Sequence, residues 1–272
     1  MRKPHDLLDE AVKRWNPVKV IVLFSGGNDS VGTAHIAKAW ADLRGRDISA
    51  AAIDTGLSVD GWRAHTVKAA RACGFPLSIE GPHDPHFYKE QVLEHGFPYT
   101  RTAHRIMYNR LKERVIRDIL RNSKTERKDR VLFVTGIRRH ESPERWDLNP
   151  LTRTRAACYV NPIIDYTDEM RDQYLADNEL PTNPFNQHGL GSGDCQCNWG
   201  AFVTLEELKE HSPNLYAKLA PIDAEVYERH GWHYGEVPSK ALRQVKKGQA
   251  ILPGMSPFLC AGCERLDAER VG

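Results

Sequence analysis

Val18-Lys19-Val20-Ile21-Val22-Leu23-Phe24-Ser25-Gly26-Gly27-Asn28-Asp29-Ser30 decides the fold of this chain. Its first half is a short β-branched run, the pattern of a strand buried on both faces in a parallel sheet. The glycine loop Ser25-Gly26-Gly27-Asn28-Asp29-Ser30 follows, and Val31 to Leu43 then carries a helical pattern that stops at Arg44-Gly45. Working outward, Ile48 to Ile53 reads as a second strand ending at Asp54-Thr55-Gly56, Trp62 to Ala72 as a helix closed by Gly74, and Pro76 to Glu80 as a third strand. Strand, helix, strand, helix, strand in this order implies right-handed crossovers and a parallel sheet with helices on both faces.

Farther along, residues 103–122 predict one long helix, Arg130 to Thr135 a further strand and Tyr159 to Ile164 another. Thr167 is placed to cap a helix whose first turn carries Asp168 and Glu169, where the helix dipole favours acids. Beyond about residue 180 the sheet rhythm fades while Pro, Asn, Gly and paired cysteines become frequent. The expected organisation is an α/β domain over 1–180, of about five parallel strands, with a cysteine-bearing region over 181–272 packed on it.

The 272 residues suit one large domain or a main domain with a small one, and 40% hydrophobic with 27% charged residues is an ordinary globular composition. No run approaches the roughly 18 apolar residues of a membrane helix. The start, Met1-Arg2-Lys3-Pro4-His5-Asp6, lacks a signal peptide's apolar centre, so a cytoplasmic location without membrane contact is expected.

The glycine loop sits where consecutive backbone N–H groups open a helix, which is how proteins hold phosphate. Gly26 and Gly27 let the backbone approach the anion, Ser25 and Ser30 add hydroxyl donors, and Asp29 is suited to hold the loop or a magnesium ion. In an open α/β sheet the ligand lies at the carboxyl ends of the strands, the rim that Asp54 shares.

Three motifs in order carry a resemblance. Ser25-Gly26-Gly27-Asn28-Asp29-Ser30 is similar to the PP-loop of the adenine nucleotide alpha-hydrolase-like superfamily, of HUP (Rossmann-like) fold. Thr135-Gly136-Ile137-Arg138-Arg139-His140-Glu141-Ser142-Pro143-Glu144-Arg145 resembles the G-x-R-x-x-E-S-x-x-R pattern of the phosphoadenosine phosphosulfate (PAPS) reductase family. Asn161-Pro162-Ile163-Ile164-Asp165-Tyr166-Thr167, with Leu180-Pro181-Thr182-Asn183-Pro184, is similar to that family's P-I-x-D-W-T and L-P-x-N-P segments. The resemblance spans roughly residues 18–200.

It implies an adenine nucleotide (ATP, APS or PAPS) bound by Ser25 to Ser30 together with Asp54, Gly136, Arg138, Arg139, Glu141, Ser142 and Arg145. Arg138, Arg139 and Arg145 follow a strand end, and the planar arginine fork suits phosphate or sulfate. Glu141 is expected to position one of them, and Asp29, Arg138 and Arg145 are the expected catalytic residues.

Cys195 and Cys197 form a CxC pair and Cys260 and Cys263 a CxxC pair, whereas Cys73 and Cys158 stand alone. Four thiolates satisfy a tetrahedral zinc or an iron–sulfur cluster, and spacing does not separate the two. The resemblance favours a 4Fe–4S cluster, with zinc as the alternative.

Arg101 to Arg130 holds eleven Lys or Arg against four acidic residues, a charge balance compatible with a nucleic-acid backbone, though a solvated face is favoured. The expected function is adenylyl-nucleotide-dependent sulfur chemistry: either reduction of an adenylylated sulfate, or sulfur transfer through an adenylated intermediate. An electron- or sulfur-donor protein is an expected partner, and a homo-oligomer is compatible with it. Asn28 stands where many PP-loops carry lysine. The alternatives are therefore a nucleotide-binding module without turnover and a zinc-stapled nucleic-acid-binding protein.

Overall fold

The computed structural model describes residues 2–198 and 203–237. In chain order the elements are α1 (Pro4–Trp15), β1 (Lys19–Leu23), α2 (Asn28–Arg44), β2 (Ser49–Ile53), α3 (Trp62–Ala72), β3 (Leu77–Glu80), α4 (Phe87–His95), α5 (Arg101–Tyr108), a π-helical turn (Asn109–Glu113), α6 (Arg114–Asn122), β4 (Val131–Val134), β5 (Leu151–Thr154), β6 (Ala157–Val160), α7 (Asp168–Asp177), α8 (Leu205–His211) and α9 (Pro213–His230). They cluster into two compact units. The first comprises the described residues up to Ile53, Gly61–Glu80 and Val115–Pro184; the second is built from Asp54–Asp60, Gly81–Arg114 and the described residues from Phe185 onward.

The first unit is a six-stranded sheet in the order β3-β2-β1-β4-β6-β5. All pairings are parallel except β5 with β6. β1 and β4 lie at the centre, paired Val20 to Leu132 and Ile21 to Phe133, and every residue of β4 is buried. Burial on both faces explains why these strands read as continuous apolar runs. The architecture is therefore the α/β parallel-dominated sheet that the alternating pattern implies, with an antiparallel edge added.

Three features of this unit departed from the sequence pattern. α1 forms over residues that read as a mixed polar stretch, because Leu7, Leu8, Ala11, Val12 and Trp15 recur at helical spacing and bury one stripe. Pro4 opens it and Asn16, at φ 43°, closes it in the left-handed region. β5, Leu-Thr-Arg-Thr, was not expected: an edge strand with half-exposed polar residues gives no apolar run. β6 occupies Ala157–Val160 rather than Tyr159 to Ile164, since Pro162 has no N–H for a ladder and Ile164 N instead donates to Asn161 O at 3.3 Å.

The second unit is helical among its described residues. The expected 103–122 helix runs in chain order as α5 and the π turn, which belong to this unit, and α6, which belongs to the first from Val115 onward; the π turn marks where its i→i+4 ladder slips. α8 starts with a capping box, Thr204 Oγ1 accepting from Glu207 N while Glu207 Oε2 accepts from Thr204 N. α9 opens with Pro213 and ends at Gly231, φ 81°. No described helix is long and apolar enough to cross a membrane.

Candidate functional site

The carboxyl end of β1 leads directly into the glycine loop, and α2 begins at Asn28 with Gly27 as its N-cap. Gly27 has no side chain to cap the first turn, so the dipole-positive N-terminal amides of a 17-residue helix open onto the loop. Gly26 sits at φ +84°, where a β-carbon is strained, and one built there would lie 2.6 Å from Thr66 Oγ1. The loop is cross-braced. Ser30 Oγ donates to Gly27 O at 2.8 Å, and Ser25 Oγ accepts from Gly27 N at 3.3 Å. From α3, Trp62 Nε1 donates to Ser25 O at 2.8 Å and His65 Nε2 lies 3.0 Å from Gly26 O. The carbonyls of Ser25 and Gly26 thus turn toward α3, whereas that of Gly27 is held within the first turn of α2 by Ser30 Oγ and Val31 N.

Asn28 is turned to a different task. Its Oδ1 accepts from the backbone N of Asn183 at 2.7 Å, joining the loop to the Leu180–Pro184 segment. The neutral amide therefore acts as a latch at the position where a lysine would carry charge.

Asp29, in the first turn of α2, faces two arginines. Arg138 Nε donates to Asp29 Oδ1 at 2.7 Å, and its other nitrogens reach Asp29 Oδ2 (3.3 Å), Asp168 Oδ1 (2.8 Å) and the carbonyl of Tyr166 (3.2 Å). Arg171 NH1 adds contacts to Asp29 Oδ1 at 3.2 Å and Asp168 Oδ1 at 2.7 Å. Arg138 is only 2% exposed, so its charge is neutralised by this planar set of acceptors. Asp29 is accordingly a brace for two cations, its carboxylate charge already offset.

The rest of the arginine motif is folded inward in the same way. Arg145, 2% exposed, pairs with Glu141, whose Oε2 also accepts from Arg138 N at 2.9 Å. Arg139 pairs with Asp165 and donates to Leu148 O at 2.8 Å. Ser142 is buried and its hydroxyl makes no hydrogen bond among the described residues. Gly136 lies hard against the loop: a β-carbon there would be 2.8 Å from Asp29 C and O and 3.1 Å from Ser30 N. Burial, helped by the nearby Asp29 charge, raises the Glu141 carboxyl to about 7 against the pull of Arg145. Because the folded value lies above the unfolded one, the folded state binds the extra proton between them and stability falls as pH rises through that window. Unfolding free energy is expected to decline from about pH 4.5 to about pH 7, and Glu141→Gln to flatten that decline; chemical denaturation across pH reads it.

Thus the structure gathers the loop, Asp29, Gly136, Arg138, Glu141 and Arg145 in one unit. Asp54, directly after β2, belongs to the second unit, where its Oδ1 accepts from Gly56 N (3.0 Å) and Ser58 Oγ (3.0 Å). Arg171, Trp62, His65 and Asn183 were not read from sequence as site residues. The available signal was spacing: Trp62 and His65 are three apart on α3, and Arg171 is one turn after Asp168 on α7.

In the second unit Cys195 and Cys197 stand together and share, with His104, Met107, Tyr108, Leu111 and Lys112, the wall of a small cavity. The hydrogen bond to Cys197 and burial push the Cys195 thiol well above its ordinary value. Lys112, on the π turn, forms a buried ion pair with Asp194 at 2.7 Å, and Ser192 Oγ donates to the same carboxylate at 2.6 Å. Two convergent sulfurs beside a buried cation fit an anionic metal–thiolate centre in donor chemistry. Cys260 and Cys263 lie outside the described residues, and among the described residues no group of three or more His, Cys, Asp or Glu is disposed to hold a metal ion.

Residues 19–248 match the family described as "Phosphoadenosine phosphosulfate reductase domain". Two curated relatives share local identity. An adenosine 5'-phosphosulfate reductase of Rhizobium tropici is 37% identical over 68 residues, which is 24% of this chain and 37% of the relative. One of Lysinibacillus sphaericus is 34% identical over 80 residues, 28% of this chain and 34% of the relative. The chain thus aligns with about a third of the length of each. A crystal structure of phosphoadenylyl-sulfate (PAPS) reductase from Candida auris in a phosphate complex is similar in fold, with a TM-score of 0.50 at 16% identity, covering 69% of this chain and 85% of that one.

Proposed function

Because the chain belongs to the phosphoadenosine phosphosulfate reductase domain family, we propose that it is an enzyme that binds an adenylyl nucleotide at Ser25 to Ser30 and performs sulfur chemistry on it. The observation that carries this reading is the loop itself: uncapped α2 amides, Gly26 at φ +84° and a carbonyl edge tied back by Trp62 and His65. Such an edge binds one oxyanion by backbone donors. Gly136, closing on the first turn of α2, holds that edge in place.

Of the two sulfur chemistries, reduction of an adenylylated sulfate is favoured by Asn28. Its side chain is neutral and spent on Asn183, so the loop supplies no lysine for a polyphosphate chain. In the favoured reaction a thiolate attacks the sulfate sulfur, the S–O bond to the nucleotide phosphate breaks, and the nucleoside phosphate leaves. A second thiolate then attacks the thiol-derived sulfur of the resulting S-sulfonate, the S–S bond to the sulfonate group breaks, and a disulfide forms as sulfite leaves. Both thiols are assigned to a dithiol donor protein. Arg138 and Arg145 hold the loop and its flanking segment in register, and the half-exposed Asp168 is the carboxylate that an incoming anion displaces from Arg138 and Arg171. Cys195, Cys197, Cys260 and Cys263 are the proposed ligands of a 4Fe–4S cluster, with zinc as the alternative. When bound, the cluster supplies a redox-active charge centre beside Lys112.

Calorimetry with APS, PAPS, AMP and ATP on protein purified without oxygen tests the reading, together with iron, sulfide and zinc analysis. APS or PAPS is expected to bind at least 10-fold more tightly than ATP. Gly27→Val is expected to abolish binding while the thermal melt is retained. ATP preferred over the sulfated nucleotides would replace reduction with sulfur transfer, and equal affinity of Gly27→Val would remove the loop from the site.

A further inference from the structure

The parallel strands of the first unit begin, and the antiparallel β5 ends, at the edge opposite the glycine loop, and that edge is strongly basic. Lys19 starts β1; Arg127, Lys128 and Arg130 precede β4; Arg153 and Arg155 form the β5–β6 hairpin. The register sets them side by side, since Lys19 pairs with Val131, Val131 with Ala157, and Ala157 with Thr154. Backbone and side-chain hydrogen bonds weld the three loops into one surface. Val18 N donates to Arg130 O at 2.9 Å, Val131 N to Ala156 O at 3.1 Å, and Arg130 NH1 to Trp15 O at 3.2 Å. All six cations are exposed or half-exposed. The acids of the same loops, Glu126 and Asp129, are partly spent: Glu126 on Lys128 at 2.9 Å, and Asp129 on the N–H groups of Thr125 and Glu126.

We propose that this edge is a sequence-independent binding surface for the phosphodiester backbone of a nucleic acid, separate from the nucleotide site. Four adjacent strands at about 4.8 Å spacing spread the charge over about 14 Å, a span that several phosphates of one strand occupy. A protein-binding patch would centre on aromatic and apolar anchors with lysine depleted. Here Val18 is the exposed large hydrophobic residue among these loops and lysine and arginine dominate. The loops present no helix to enter a groove, so contacts fall on phosphates and carry no base readout. β1 separates Lys19 from the loop by about 16 Å at ordinary strand rise, so the surface tethers the protein and does not feed the nucleotide site.

Fluorescence anisotropy with a labelled 20-base-pair duplex and a 20-nucleotide single strand tests this on the full chain. Binding is expected at 50 mM salt and should weaken by about 100-fold or more at 200 mM, as release of counterions from about four phosphates requires. The variant Arg127→Glu, Lys128→Glu, Arg153→Glu, Arg155→Glu should lose at least 30-fold in affinity while its thermal melt and its binding of AMP are unchanged. Arg105→Glu with Arg110→Glu, at exposed positions of α5 and the π turn, should change affinity by less than twofold. No binding at 50 mM salt, retention by the fourfold variant, or loss in the Arg105, Arg110 variant overturns the proposal. Binding of polyglutamate as tight as the duplex overturns it in favour of an acidic protein partner.

Discussion

Arg138→Met lowers the unfolding free energy by about 3–5 kcal/mol, the cost of deleting one partner of a buried ion pair. The guanidinium is buried and serves Asp29, Asp168 and the Tyr166 carbonyl at once, so its removal strands a carboxylate that is 18% exposed at the start of α2. Arg171 remains, but its contact to Asp29 is longer, at 3.2 Å. The loop geometry fails together with the stability, because Asp29 is its fifth residue. Arg138→Lys recovers little, since one ammonium cannot reproduce the fork's three directions. The double variant Arg138→Met, Asp29→Asn should regain more than half of the lost stability by removing the stranded charge. Urea denaturation of the four proteins in the cycle measures the coupling, and additive losses would show that the pair does not carry the effect.

Gly136→Ala is expected to have the next largest effect. Its new methyl group meets the backbone of Asp29 and Ser30 at 2.8–3.1 Å, and backbone at the first turn of a helix cannot swing aside as a side chain can. Overpacking of this kind costs about 1–3 kcal/mol. The shift is directed at the amides that are proposed to hold the nucleotide, so affinity should fall at least 10-fold, beyond what the stability loss explains. Gly45→Ala is the control: that glycine also has a positive φ, 60°, but no atom lies within 4 Å of its β-carbon. Reduced stability with unaltered nucleotide affinity is expected there, and an equal affinity loss in both variants would refute a local effect at Gly136.

The sheet was legible in the sequence because its central strands are buried on both faces. A buried parallel strand must be apolar throughout, and Val18 to Phe24 and Arg130 to Thr135 announce it. The phosphate loop was legible for a related reason: a strand-to-helix turn with Gly26 in a left-handed conformation admits few residues other than glycine. Thr167 was legible as a cap, and its hydroxyl accepts from Met170 N at 3.2 Å as such a cap does.

What the tertiary structure alone decided is which charged groups meet. Asp29 lies more than a hundred residues along the chain from both Arg138 and Arg171, and their pairing depends on β1, β4 and α7 being brought to one edge. Sequence placed Arg138, Arg139 and Arg145 after a strand end and expected Glu141 to position one of them, but did not say which and gave no partner for the other two. The fold turned Arg138 and Arg145 inward to Asp29 and Glu141, because a buried guanidinium must find acceptors, and it paired the half-buried Arg139 with Asp165. Asn28 was likewise named by its motif, and its use as a latch on Asn183 emerges only from packing. Local sequence sets strands, turns and caps because their energetics act over a few residues. The pairing of charges across the sheet is a long-range choice, made once the hydrophobic core has fixed which elements are neighbours.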